Sequence, residues 1–223
     1  MTALRFPRGL YGVTPEWDDT GKLLHAVRQA AAGGMRALQL RRKHISEAER
    51  AAQARELAPL CRALGVVFLI NDHWRLALEV GADGVHLGRD DADPAQVRKV
   101  AGPGLLIGVS CYNELDRARR LLAAEPDYIA FGAVFTSPTK PQAVHAPLPL
   151  LAQARELAAG CGLPRPAVAA IGGITPDNAA LAAQAGADAI AVITGLFEAP
   201  DIAAAARACA APFQAAPTPG PQA

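Results

Sequence analysis

The chain has 223 residues, 51% of them hydrophobic, enough for one sizeable core. Its 22 basic and 21 acidic residues leave a net charge of +1, with no basic run and no aromatic platform, which argues against a nucleic-acid surface. No apolar stretch approaches the ~18 residues of a membrane span, and the N-terminal MTALRFPRGLYGV lacks a signal peptide's apolar segment, so a cytoplasmic location is expected.

Short apolar runs then alternate with Ala/Leu/Arg-rich stretches of helical period. LYGVT (10–14) predicts a first strand, followed by a helix over 20–33; ALQLR (37–41) predicts a second, followed by 46–64. VVFLIN (66–71) leads to a helix over 73–80, GVHLG (84–88) to 94–101, and LLIGVS (105–110) to 113–124. DYIAFGAV (127–134) precedes a helix over 148–160, AVAAIGG (167–173) one over 176–186, and AIAVIT (189–194) one over 201–211. The runs are nearly continuous in hydrophobicity, as in strands covered on both faces. Gly33-Gly34, Gly65, Gly81 and Gly186 fall where helix C-caps belong, and Ser46 and Asn113 where N-caps belong.

This repeated strand–helix alternation predicts a single (β/α)₈ barrel over 1–213. EVGADGVHLG (79–88) and QAGADAIAVI (184–193) echo one another, as repeated half-units would. An open doubly wound sheet is the structural alternative, but GVTPEWDDTG after the first strand is not its glycine fingerprint. QAAPTPGPQA (214–223) predicts a disordered tail. Cys61, Cys111, Cys161 and Cys209 stand far apart, without zinc or disulfide spacing, and read as packing thiols.

A barrel places chemistry at the C-terminal ends of its strands. On the second strand, alternation puts Gln39, Arg41 and Lys43 on one side, toward the mouth, with Leu38 and Leu40 toward the helices. A charged loop beginning after the strand is the plainer reading. Only 4 of the 22 basic residues are lysines, and two of them, Lys43 and Lys140, fall at strand ends. Lysine's compact charge suits phosphate oxygens.

Asp72 and Asp91 follow the third and fourth strands, where carboxylates facing a cationic pocket suit Mg²⁺ shared with a phosphorylated substrate. Taken singly, each better suits capping of the next helix, since aspartate is a favoured cap. His86, inside GVHLG, reads as a hydrogen-bonded core histidine. FGAVFTSPTKP (131–141) runs a strand into Ser137, Thr139 and Lys140, which fits either a surface turn or an anion-holding loop. Gly172-Gly173 and Thr194-Gly195 sit after the seventh and eighth strands, where barrels commonly bind phosphate.

Taken together, QLRRK (39–43), ND (71–72), GVHLGRDD (84–91), GVS (108–110), SPTK (137–140), AIGGIT (170–175) and AVITG (191–195) resemble the thiamine phosphate synthase family over about residues 10–198. The resemblance implies a (β/α)₈ barrel that joins a hydroxymethylpyrimidine diphosphate to a thiazole phosphate, with Mg²⁺, releasing pyrophosphate. By the same resemblance, Gln39, Arg41, Lys43 and Asn71 hold the pyrimidine diphosphate, Asp72 and Asp91 bind Mg²⁺, and Ser110 and Lys140 contact the leaving group. Ser137, Thr139, Gly173, Ile193 and Thr194 would meet the thiazole phosphate, making Lys140, Ser110 and Arg41 the catalytic set. The partners implied are these small molecules, with a homo-oligomer possible but unmarked in the sequence.

Departures from the family pattern are Arg42 for an acid, Arg89 for glutamine, Ser137 for threonine and Cys111-Tyr112 for Thr-His. A related thiazole tautomerase group would carry histidine after the sixth-strand glycine, where this chain has Ala133. A non-catalytic barrel binding thiamine precursors or phosphates is the remaining alternative.

Overall fold

Every strand candidate forms a strand in the computed structural model, which describes residues 3–136 and 144–214. The first four are β1 (Gly9–Val13), β2 (Met35–Leu40), β3 (Val67–Asn71) and β4 (Gly84–Leu87). They are followed by β5 (Leu106–Tyr112), β6 (Tyr128–Gly132), β7 (Ala167–Ile171) and β8 (Ala189–Val192). Each pairs in parallel with its chain neighbour, and β8 returns to β1, so the sheet closes on itself. The architecture is the expected (β/α)₈ barrel.

Helices α1 (Thr20–Ala32), α2 (Glu47–Leu64), α3 (Trp74–Val80) and α4 (Pro94–Ala101) fill the first four connections. The later ones are α5 (Leu115–Leu121), α6 (Pro149–Ala159), α7 (Ala179–Gln184), the short α8 (Thr194–Phe197) and α9 (Ile202–Gln214). Ser46 caps α2 through a reciprocal capping box with Glu49, and Gly65 and Gly81 close α2 and α3 in left-handed conformation. Asn113 is not a cap: β5 bulges and runs on to Tyr112, which pushes the helix start to Leu115 after Glu114. Helix α9 runs through Gln214, with Ala205, Ala206, Cys209 and Ala210 buried and Phe213 packed against the core. The rest of the expected tail lies outside the described residues.

Two apolar layers hold the fold. Leu38, Leu40, Phe68, Ile70, Val85 and Ile107 point outward under the helices. Inside the barrel, Ala167, Ala169, Ala189 and Ala191 leave room for the rings of Tyr11 and Tyr128, with Phe6 below them. Phe6 and Tyr128 lie 4.2 Å apart, centroid to centroid. A side-chain carbon at Gly108 would fall within the Tyr128 ring, so that glycine is a space requirement. The alternating large and tiny interior residues make a filled core rather than a pore.

Candidate active site

The C-terminal ends of β2, β3 and β4 bring their charged residues together. Lys43 Nζ lies 3.5 Å from Asp72 Oδ2. Asp72 takes a left-handed backbone (φ 63°), its N–H donating to the His86 carbonyl at 2.8 Å. Asp is one of the few side chains that accept this conformation readily, and such backbone outliers cluster at functional sites. Burial, then a hydrogen bond and the charge of Asp91, push the Asp72 carboxyl up to about 6, with Lys43 pulling it partly back. The two carboxyls therefore share one small region.

Neither aspartate caps a helix. The residue before α3 is His73, which makes no side-chain cap bond. Helix α4 is capped by Asp93, whose carboxylate accepts from Ala95 N and Gln96 N at 2.8 and 3.1 Å. Asp91 instead turns back, its Oδ2 accepting the Gly88 N–H at 2.6 Å. The choice left open by the sequence is thereby decided against capping.

Beneath this charged rim runs a buried polar chain. Gln39 Nε2 donates to the Tyr11 hydroxyl, which meets the Tyr128 hydroxyl at 2.8 Å. Tyr128 then contacts His86 Nδ1 at 2.8 Å, and His86 Nε2 contacts Ser110 Oγ at 2.8 Å. Burial raises both tyrosine hydroxyls far above neutrality and lowers His86 to about 4, so these groups stay uncharged. His86 is the hydrogen-bonded core histidine expected from its place inside β4. The chain ties Gln39 on β2 to Ser110 on β5 across the barrel interior.

Arg41 and Lys43 lie on the mouth side, while Arg42 between them turns toward α2 and the loop after β1, its side chain 2% exposed. Asn71 is buried at the end of β3. On the far side, the glycines accommodate the chain's own backbone. A Cβ at Gly173 (φ 65°) would sit 2.5 Å from the Thr136 carbonyl, and one at Gly195 2.5 Å from the Ile174 carbonyl. The segment after β6 thus leaves directly over the end of β7. Asn178 secures that corner, accepting from Thr175 N at 2.8 Å and donating to the Gly173 carbonyl at 2.9 Å. The eighth strand ends at Val192, short of the expected Thr194, and Ile193 immediately precedes the short helix α8, which Thr194 begins. Ser137, Thr139 and Lys140 lie outside the described residues.

The arrangement sets cations and paired carboxyls beside a neutral polar floor. The model for thiamine monophosphate synthase matches residues 10–196 of this chain. The chain belongs to the thiamine monophosphate synthase family. A relative from Bordetella pertussis named thiamine-phosphate synthase is 72% identical over 217 residues, covering 97% of this chain and 100% of the relative. Another of that name, from Chromobacterium violaceum, is 53% identical and covers 93% of this chain and 97% of the relative. A solved thiamine phosphate pyrophosphorylase from Pyrococcus furiosus superposes with a TM-score of 0.77 at 32% identity, covering 90% of this chain and 93% of that one.

Several residues around the candidate site are not marked by the sequence. Tyr11 and Tyr128 were placed only as strand residues, although their inward position follows from the same period of two that located Gln39. Glu16 and Asn178 lie in loops, where no periodicity signals a partner.

Proposed function

We propose that the protein acts as a thiamine-phosphate synthase, displacing pyrophosphate from a hydroxymethylpyrimidine diphosphate with the nitrogen of a hydroxyethylthiazole phosphate. The observation that carries this reading, within the family, is the facing of Asp72, Asp91 and Lys43 in place of helix capping. A transferase of this kind needs charge neutralisation and exclusion of water more than a protein nucleophile.

The donor set fits magnesium. Asp72 and Asp91 offer hard carboxylate oxygens, and burial with the neighbouring Asp91 raises the Asp72 carboxyl to about 6, a penalty that a bound divalent cation would offset. Among the described residues, no group of three or more His, Cys, Asp and Glu gathers into a metal site. Two carboxylates, with substrate oxygens and water completing the shell, are an ordinary magnesium arrangement. When bound there, the ion supplies charge neutralisation for the departing diphosphate.

The chain's own groups do the rest. Arg41 and Lys43 bind the diphosphate, and Gln39 and Asn71 orient the pyrimidine end. Ser110, its hydroxyl already aimed by His86, contacts the leaving group together with Lys140. Ser137, Thr139, Gly173, Ile193 and Thr194 hold the thiazole phosphate. Ala133 offers no titratable group, so nothing favours the tautomerase reading. The substrates are soluble small molecules, consistent with a cytoplasmic enzyme; among the described residues no helix is long and apolar enough to cross a membrane.

The test supplies both substrates with and without Mg²⁺ and follows thiamine phosphate and pyrophosphate. Turnover should require the metal, and Asp72→Asn or Asp91→Asn should abolish Mg²⁺-dependent turnover while far-UV circular dichroism stays unchanged. Undiminished activity in both folded variants would remove these residues from the metal site.

A further inference from the structure

Three consecutive cations, Arg41, Arg42 and Lys43, directly follow β2, and their mutual repulsion should splay the turn they form. One carboxylate touches all three residues. Glu16, from the loop after β1, places Oε1 3.6 Å from Arg41 Nη1 and Oε2 3.3 Å from Arg42 Nε. Its two oxygens also accept the Lys43 backbone N–H, at 3.0 and 3.2 Å.

Glu16 is itself fixed through Arg42. That guanidinium is buried with each of its three nitrogens bonded: it meets Asp18 at 2.6 Å and Gln53 Oε1 at 3.0 Å, and donates to the Trp17 carbonyl. Gln53 on α2 returns a bond to the same Trp17 carbonyl at 3.0 Å, and Arg50 Nε donates to the Arg42 carbonyl at 3.0 Å. An exposed ion pair holding nothing else would matter little. Here a buried cation joins the loop after β1, the end of β2 and the start of α2.

We propose that Glu16, locked by Arg42, is a positioning residue that sets the β2–α2 turn so that Arg41 and Lys43 meet the diphosphate of the substrate. The inference rests on the diphosphate-binding reading of Arg41 and Lys43 and adds the part that pre-orients them. Positioning of this kind acts on ligand affinity because cations already in place lose little freedom when the anion arrives.

The experiment measures KM for each substrate, and the affinity for inorganic pyrophosphate with Mg²⁺ by calorimetry, in Glu16→Ala, Glu16→Gln, Arg41→Ala and Lys43→Ala. Glu16→Ala should raise KM for the diphosphate substrate by about 10-fold or more, within the ~10²-fold that a misplacement of 1 Å can cost. It should weaken pyrophosphate binding in parallel and leave KM for the thiazole phosphate unchanged. Glu16→Gln should recover most of the loss, because its amide oxygen still accepts the Lys43 N–H. The inference is overturned by an unchanged diphosphate KM in Glu16→Ala, by both KM values rising together with a fall in Tm, or by tighter pyrophosphate binding, which would make Glu16 a competing anion. If Arg41→Ala and Lys43→Ala also leave diphosphate KM unchanged, it is the underlying assignment of the diphosphate site that fails.

Discussion

His86 touches two hydroxyls and stacks on Tyr128 at 5.5 Å between centroids, with no carboxylate bonded to its ring. Burial therefore dominates, and its pKa falls from 6.5 to about 4. The folded protein binds fewer protons than the unfolded chain between these values, so this contribution to stability is complete above about 6.5 and lost as the pH falls toward 4. At ~1.4 kcal/mol per pKa unit the loss amounts to a few kcal/mol. Urea unfolding at about pH 5 and about pH 7 should show wild type losing more stability on acidification than His86→Gln. Equal slopes in the two proteins would mean that the imidazole is not held neutral. His86 was legible in the sequence because it interrupts an apolar strand. Whether Asp72 and Asp91 were caps or ligands was not legible, since both roles want the same residue at a strand end. The structure excludes the caps, because His73 precedes α3 and Asp93 takes the cap of α4.

The elements were legible because each strand is a short apolar run ended by glycine or polar residues. What the sequence disguised is where one element's end is set by another's packing, as with α5 after the bulge in β5. The echoed GAD motif has a physical basis at this scale. Asp83 and Asp188, directly before β4 and β8, each accept a backbone N–H from the preceding strand, Phe68 N at 2.7 Å and Val168 N at 2.9 Å. Asp127 does the same before β6 with Ile107 N at 2.7 Å, in a context (EPDY) too different to show as a repeat. Closure of the barrel brings α1 against α9, and Gly33 lies at that seam. A Cβ there would sit 2.5 Å from the Ala203 carbonyl and collide with Ala206. Since Gly33 has an ordinary φ of −83°, Gly33→Ala acts through the collision alone. It should cost ~1–3 kcal/mol, as overpacking does. A thermal melt indistinguishable from wild type would show that α9 can shift away freely.

For the whole molecule, the two ends of the barrel have separate tasks. The mouth gathers Arg41, Lys43, Asp72 and Asp91. The opposite end pairs its charges internally: Asp127 meets Arg5 at 2.7 Å and Arg98 at 2.8 Å, while Arg165 grips Asp188 through two bonds at 2.7 and 2.8 Å. Arg165 and Asp188 are both buried, 3% exposed each, so loss of one leaves an uncompensated charge in the interior. Breaking such a pair typically costs 3–5 kcal/mol. For a chain of this length, each kcal/mol lowers Tm by roughly 2–4 °C. Asp188→Ala should therefore melt roughly 6–20 °C below wild type. Well below that melt, its kcat and both KM values should match wild type, because β8 still delivers Ile193 and Thr194 to the mouth through the ladder with β1 and β7. Asp72→Asn should show the reverse, with Tm nearly kept and turnover gone. If Asp188→Ala lost activity in proportion to its stability, the bottom pair would be shaping the mouth, and the division of labour between the two ends would be wrong.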